Sequence, residues 1–111
     1  MSKVLQVNFN YNVSAEDYAQ TVSGLGDAFA NVSGCLWKIW LIDEERKEAG
    51  GIYLFEDAAS IQAMLDSELI AGVISHPALS NFSVKQFDVL EEVSRITRAP
   101  IGEQSAEAAA A

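Results

Sequence analysis

The chain reads as a single α+β domain, a four-stranded antiparallel sheet with helices on one face. Three observations lead there. Residues 3–11 alternate, with Leu5, Val7, Phe9 and Tyr11 on one side and Gln6, Asn8 and Asn10 on the other, the period of a strand between two different environments. The segment Gly34–Phe55, GCLWKIWLIDEERKEAGGIYLF, reads as two strands joined by a charged hairpin, and neither strand alternates cleanly. A strand apolar on both faces has something packed on both faces. The remaining stretches carry apolar residues at helical spacing behind capping residues.

The first strand ends at the turn residues Asn12 and Ser14. Ser14 suits a helix N-cap, with Asp17 at the capping-box position and Glu16 favoured by the helix dipole. The stripe Tyr18, Val22, Leu25, Phe29 and Val32 predicts a helix over about 15–32. Gly24 and Gly26 weaken it, and Gly34 ends it as a C-cap. In the second strand Cys35, Trp37, Ile39 and Leu41 are expected on one face, and Leu36, Lys38, Trp40 and Ile42 on the other.

The connection DEERKE is a solvated hairpin, and Gly50-Gly51 predicts a bulge at the start of the third strand. There Ile52 and Leu54 oppose Tyr53 and Phe55. Asp57 should cap a helix over about 58–66 that turns Ile61, Met64 and Leu65 inward. Ser67 should cap another over about 68–75, burying Leu69, Ile70, Val73 and Ile74. His76-Pro77 stops it, because the residue before proline avoids the helical region. A fourth strand covers about 82–90, with Phe82, Val84, Gln86 and Asp88 on one face and Lys85, Phe87 and Val89 on the other. Residues 91–96 make a helical turn or two, so the domain is drawn over 1–96 and a low-complexity C-terminal tail over 97–111.

The order β-α-β-β-α-β is the ferredoxin-like split βαβ arrangement, and right-handed crossovers leave few alternatives. Its helices cover only one sheet face. The other must meet a ligand or a second chain, and pairing two sheets face to face closes an isologous homodimer.

Composition narrows the partners. A chain of 111 residues, half of them hydrophobic, supports one core. A net charge of −9 repels phosphate backbones and anionic lipid, so neither nucleic acid nor a membrane surface is an expected partner. No apolar run is long enough to span a bilayer, and the N-terminus alternates like a strand rather than a signal peptide. Cys35 is the single cysteine, which excludes an internal disulfide and makes a cytoplasmic location the default. No zinc-spaced Cys/His cluster, P-loop or GxGxxG occurs, and no metal site can be assembled.

Trp37 and Trp40 lie on opposite faces of their strand. Both read as core anchors, or one of them walls a pocket for a flat apolar substrate together with Phe9, Tyr53, Phe55 and Phe82. The row Gln6, Asn8 and Asn10 bonds across an interface or to water, or Asn8 serves a ligand carbonyl or enolate. Lys38 lays its stem along the sheet, or its ammonium stabilises a developing oxyanion. His76 sits where a helix ends, and is a C-terminal helix partner or a general base at a cleft mouth. Cys35 reads as a small core residue.

The chain also resembles a known family, the small YdhR-type monooxygenases. The resemblance rests on Gly34, Leu36-Trp37-Lys38, Trp40 and the run Glu48-Ala49-Gly50-Gly51-Ile52-Tyr53-Leu54-Phe55, with Leu5-Gln6, Phe9 and Phe87-Asp88-Val89, up to about Leu90. It implies a ferredoxin-like protomer in a dimeric α+β barrel. It also implies likeness to oxygenases of aromatic polyketides that use no metal, flavin or haem, in which the substrate's own carbanion meets dioxygen. On that footing Trp37, Trp40, Phe9, Phe55, Phe82 and Tyr53 shape a site for a small aromatic molecule, Asn8 and Lys38 stabilise an enolate-like oxyanion, and His76 is the base. The alternative is a non-catalytic dimeric module that binds a small aromatic metabolite.

Overall fold

A computed structural model describes residues 2–101; the part of the expected tail beyond 101 lies outside the described residues. The strands are β1 (Lys3–Tyr11), β2 (Cys35–Asp43), β3 (Glu48–Phe55) and β4 (Leu79–Asp88). They form one antiparallel sheet in the order β2-β3-β1-β4. The helices are α1 (Ala15–Ser23), α2 (Gly26–Ala30), α3 (Ala58–Leu65), α4 (Glu68–Ile74) and α5 (Glu91–Ile96). This is the expected ferredoxin-like α+β arrangement, with β1 and β3 central and each crossover skipping one strand.

Local chemistry sets the helix starts. Ser14 accepts from the Asp17 N–H at 3.0 Å, Asp57 from Ser60 at 2.8 Å and Ser67 from Ile70 at 3.4 Å, so each cap satisfies a donor that has no intrahelical partner. The Ser60 amide also holds the Asp57 carboxyl below its usual value. The single helix expected over 15–32 is instead two. Gly24 closes α1 as its C-cap, and Leu25 accepts from Phe29 to open α2. Gly34 has φ +81°, and a Cβ there would stand 2.1 Å from Ser60 Oγ, so this turn requires glycine.

The core lies between the sheet and its helices. Leu5, Tyr53 and Phe55 from the strands meet Phe29, Ile61, Met64 and Ile70 from α2, α3 and α4. A second cluster joins Phe9, Tyr11, Tyr18 and Ala49. Ile74, expected inside, is exposed at the end of α4. β4 starts three residues earlier than expected, where Leu79 pairs with Tyr11.

The irregularities of the sheet fall elsewhere than expected. Gly50-Gly51 makes no bulge; both stay in register with β1 and β2. Glycine at 50 answers another need, because a Cβ there would meet the Val7 carbonyl oxygen at 1.9 Å. The register shifts lie between Asn8 and Asn10 opposite β4, and between Cys35 and Trp37 opposite β3. The second inserts Leu36 as an extra residue, which inverts the phase of the strand before it. Cys35 therefore packs on the helix-side core, not on the face of Trp37, Ile39 and Leu41.

On the far face, the segment after α5 returns to the sheet. The Trp37 indole donates to the Pro100 carbonyl at 2.6 Å, and Ile101 is buried. Residues 97–101 thus pack with the domain, although the sequence assigns them to the tail. Arg95 and Glu91 pair at 3.0 Å within α5, and Ser2 N–H reaches Glu91 at 3.4 Å.

Candidate functional site

The helix-side face of the sheet is not filled throughout. A cavity of about 720 Å³ opens between it and helices α1, α2 and α4. Its floor is Val7 and Phe9 of β1, Lys38 and Trp40 of β2, Tyr53 of β3, and Phe82 and Val84 of β4. Tyr18, Val22 and Phe29 wall one side, and Leu69 and Val73 the other. Asp17, Thr21, Glu68 and His76, all exposed, put polar atoms at its mouth. A concave, mostly apolar space with a few convergent polar groups is the usual form of a small-molecule site.

Lys38 is the cation inside it. Its Nζ stands 3.4 Å from the ring centre of Trp40, 3.5 Å from Phe29 and 4.5 Å from Tyr53. Phe29 and Trp40 meet edge to face, 5.3 Å between ring centres. The stem crosses Gly51, where a Cβ would come within 2.7 Å of Lys38 Cε. Among the described residues, Lys38 makes no ion pair and no side-chain hydrogen bond. Ring faces attract a desolvated ammonium by about 2 kcal/mol or more, still less than full hydration supplies. Burial accordingly lowers the Lys38 pKa from 10.5 to about 7, and the Cys35 thiol beside it opposes that shift only in part.

The phenols behave oppositely. Burial pushes Tyr18 up to about 12 and Tyr53 further above its usual value, so both remain protonated donors at neutral pH. Tyr53 is buried, and its hydroxyl has no hydrogen-bond partner among the described residues yet is not sealed off from solvent. It therefore borders the cavity. Burial also raises the Cys35 thiol, whose Sγ lies 3.4 Å from the Trp37 carbonyl.

Of the residues singled out from sequence, Phe9, Lys38, Trp40, Tyr53, His76 and Phe82 border this one cavity. His76 stands at the mouth, its Nδ1 accepting from the Ala78 N–H at 3.1 Å just past the end of α4. Phe55 is fully buried in the core behind the cavity and stacks on Tyr53, 6.0 Å between ring centres. Asn8 and Trp37 lie on the other sheet face. Asn8 falls between the cavity residues Val7 and Phe9 and so points away from them, with its Oδ1 accepting from Gln6 Nε2 at 3.0 Å. Asn8 and Lys38 are thus on opposite sides of the sheet. Tyr18, Val22, Phe29, Leu69 and Val73 read as core from their helical spacing alone. No group of three His, Cys, Asp or Glu side chains that could hold a metal occurs among the described residues. No helix among them is long and apolar enough to cross a membrane.

The family model described as "Putative mono-oxygenase ydhR" matches residues 4–100. Among curated proteins, none matches. Several solved structures share the fold. The cofactor-independent oxygenase SnoaB from Streptomyces nogalater superposes with a TM-score of 0.64 at 14% identity, over 82% of this chain and 98% of that one. The NE2512 protein of unknown function from Nitrosomonas europaea gives 0.69 at 19%, over 80% and 89%. A point mutant of MhuD, with two manganese protoporphyrin IX bound per active site, gives 0.62 at 19%, over 80% and 96%. At these identities the likeness is one of fold.

Proposed function

The chain belongs to the ydhR mono-oxygenase family, and on that premise we propose that it oxygenates a flat aromatic or polyketide-like molecule without metal, flavin or haem. One observation carries this reading: a partly buried amine, ringed by Phe29, Trp40 and Tyr53, faces a mostly apolar cavity of about 720 Å³. Phe9, Phe82 and Trp40 present ring surface to a flat ligand. Lys38 takes the proton. As a free amine it removes a proton from an acidic CH₂ or phenol, and as the resulting ammonium it holds the enolate. The electron-rich carbanion then reduces dioxygen. The balance is CH₂ + O₂ → C=O + H₂O, one oxygen atom entering the ligand and the other leaving as water. Tyr18 and Tyr53, both protonated, supply hydrogen bonds to ligand oxygens. His76 orients or relays at the mouth.

The same reading includes a homodimer. Ile39 and Phe87 expose about half of their surface on the sheet face away from the helices, beside the amides of Gln6 and Asn8. A second sheet laid there would bury these apolar groups and meet the remaining hydrogen-bonding capacity of the amides. Sedimentation showing only monomer at micromolar concentration would remove the dimer.

The test of the activity is oxygen consumption by chelator-treated protein given a panel of anthrone-type substrates. One O₂ per substrate is expected, with a quinone product, and Lys38→Met should slow it by about a hundredfold or more. Ligand binding with no oxygen uptake across the panel would leave the non-catalytic binding module in its place.

A further inference from the structure

We propose that Lys38 is also a nucleophilic amine, and that the cavity captures flat apolar aldehydes or ketones as an imine on its Nζ. A buried lysine normally keeps its proton because a carboxylate or carbonyl holds it. Around Lys38 the near neighbours are the rings of Phe29, Trp40 and Tyr53, and no hydrogen bond or ion pair to it exists among the described residues. Nothing consumes the lone pair of the free amine, and burial favours the free amine. Desolvation in an apolar pocket is one of the two established routes to a nucleophilic lysine.

The cavity supplies the other requirements. It is large enough for a two- or three-ring compound, and its aromatic and aliphatic floor favours one. The Nζ lone pair adds to the carbonyl carbon while the C=O π electrons move to oxygen. One N–H proton shifts to that oxygen, and a second joins it as water departs, leaving C=N. The overall change is R–NH₂ + O=CH–R′ → R–N=CH–R′ + H₂O, with no oxidant or reductant. The phenols of Tyr18 and Tyr53 line the same cavity and stay protonated, which suits them to relay the proton to the departing oxygen. The acidic mouth, with Asp17 and Glu68, disfavours anionic carbonyl compounds. Imine capture needs the same cavity as the oxygenase reading but no oxygen chemistry.

The experiment is reductive trapping on the intact wild-type chain at pH 7. The protein is incubated with 2-naphthaldehyde and sodium cyanoborohydride under nitrogen, then mapped by peptide mass spectrometry. The other lysines, Lys3, Lys47 and Lys85, are internal controls. An ordinary lysine is free amine only to about one part in two thousand at this pH. Lys38 should therefore be labelled at least about tenfold faster than each of the three. Glyoxylate, an anionic aldehyde, should lose that preference. Labelling spread over the lysines by exposure, with Lys38 no faster than the rest, overturns the proposal. Because oxygen is excluded, a failed oxygen-uptake assay leaves this result untouched, and a failed trapping leaves the oxygenase reading standing.

Discussion

The two faces of the sheet are built from alternate residues of the same strands and carry opposite chemistry. On the helix side, β1 presents Leu5, Val7 and Phe9 to the core and cavity. On the other side it presents Gln6, Asn8 and Asn10, with Ile39 and Phe87 exposed nearby. β2 repeats the division with its tryptophans. Trp40 walls the cavity beside Lys38, and Trp37 anchors the returning chain at Pro100. Among the described residues, the cation on the apolar face has no counter-charge, whereas the amides on the other face are hydrogen-bonded to one another and to neighbouring turns. The contrast teaches that the same strands can carry a lone amine among rings on one face and a self-satisfied amide row on the other.

The sharpest way to break that contrast is at Lys38. Lys38→Met should lower turnover by about 10²–10⁴-fold, the usual contribution of a positioned acid–base group. It should leave the melting temperature unchanged or higher, since an unpaired buried charge is exchanged for an apolar chain of similar length. Steady-state kinetics and thermal melting read the two effects together, and a large loss of stability would mean Lys38 is structural.

Next comes the core behind the cavity. Phe55→Ala removes a fully buried ring and should cost about 3–5 kcal/mol in denaturant unfolding. A third test strikes the opposite face. Ile39→Glu with Phe87→Glu should weaken self-association at least about tenfold, while ligand binding in the cavity of the folded protein persists. Simultaneous loss of both would make the cavity depend on the dimer. Smaller still is Asn8→Ala, expected to change kcat less than about tenfold because the residue faces away from the cavity; a loss matching that of Lys38→Met would bring the far face into the chemistry.

A further test is in pH. Lys38 has a folded pKa of about 7, below its ordinary 10.5. The folded state therefore binds fewer protons than the unfolded state between those values. The cost of burying the ammonium is fully present below pH 7 and is relieved as pH rises toward 10.5. The wild type should gain stability across that interval relative to Lys38→Met, measured as the difference between their denaturant midpoints. Proton abstraction by the free amine should also fall away as pH drops below about 7.

Much of this was legible in the residues. The caps Ser14, Asp57 and Ser67 act within a single turn, so local sequence suffices to place them. The alternation of β1 and the doubly apolar hairpin pointed to the topology and to the sheet face that the helices leave bare, where Ile39 and Phe87 are exposed. What stayed hidden depends on partners distant in sequence. The bulge at Leu36 exists because Cys35 and Trp37 oppose consecutive residues of β3, a matter of pairing that one strand alone does not encode. That pairing decides which tryptophan meets the cavity. Likewise the spacing of Tyr18, Val22 and Phe29 marks an inward face, but an inward face looks alike whether the space before it is filled or hollow. Gly24 signalled a weak helix, and the tertiary fold turned weakness into a break.

The separation of the two indoles has a practical consequence. Trp40 lies against an ammonium and the cavity, while Trp37 is hydrogen-bonded to the returning backbone on the other face. Excitation of the wild type mixes two emitters with unrelated surroundings, but a Trp37→Phe chain would report occupancy of the cavity and a Trp40→Phe chain the docking of the C-terminal segment. The molecule carries its own pair of optical channels, one for each face.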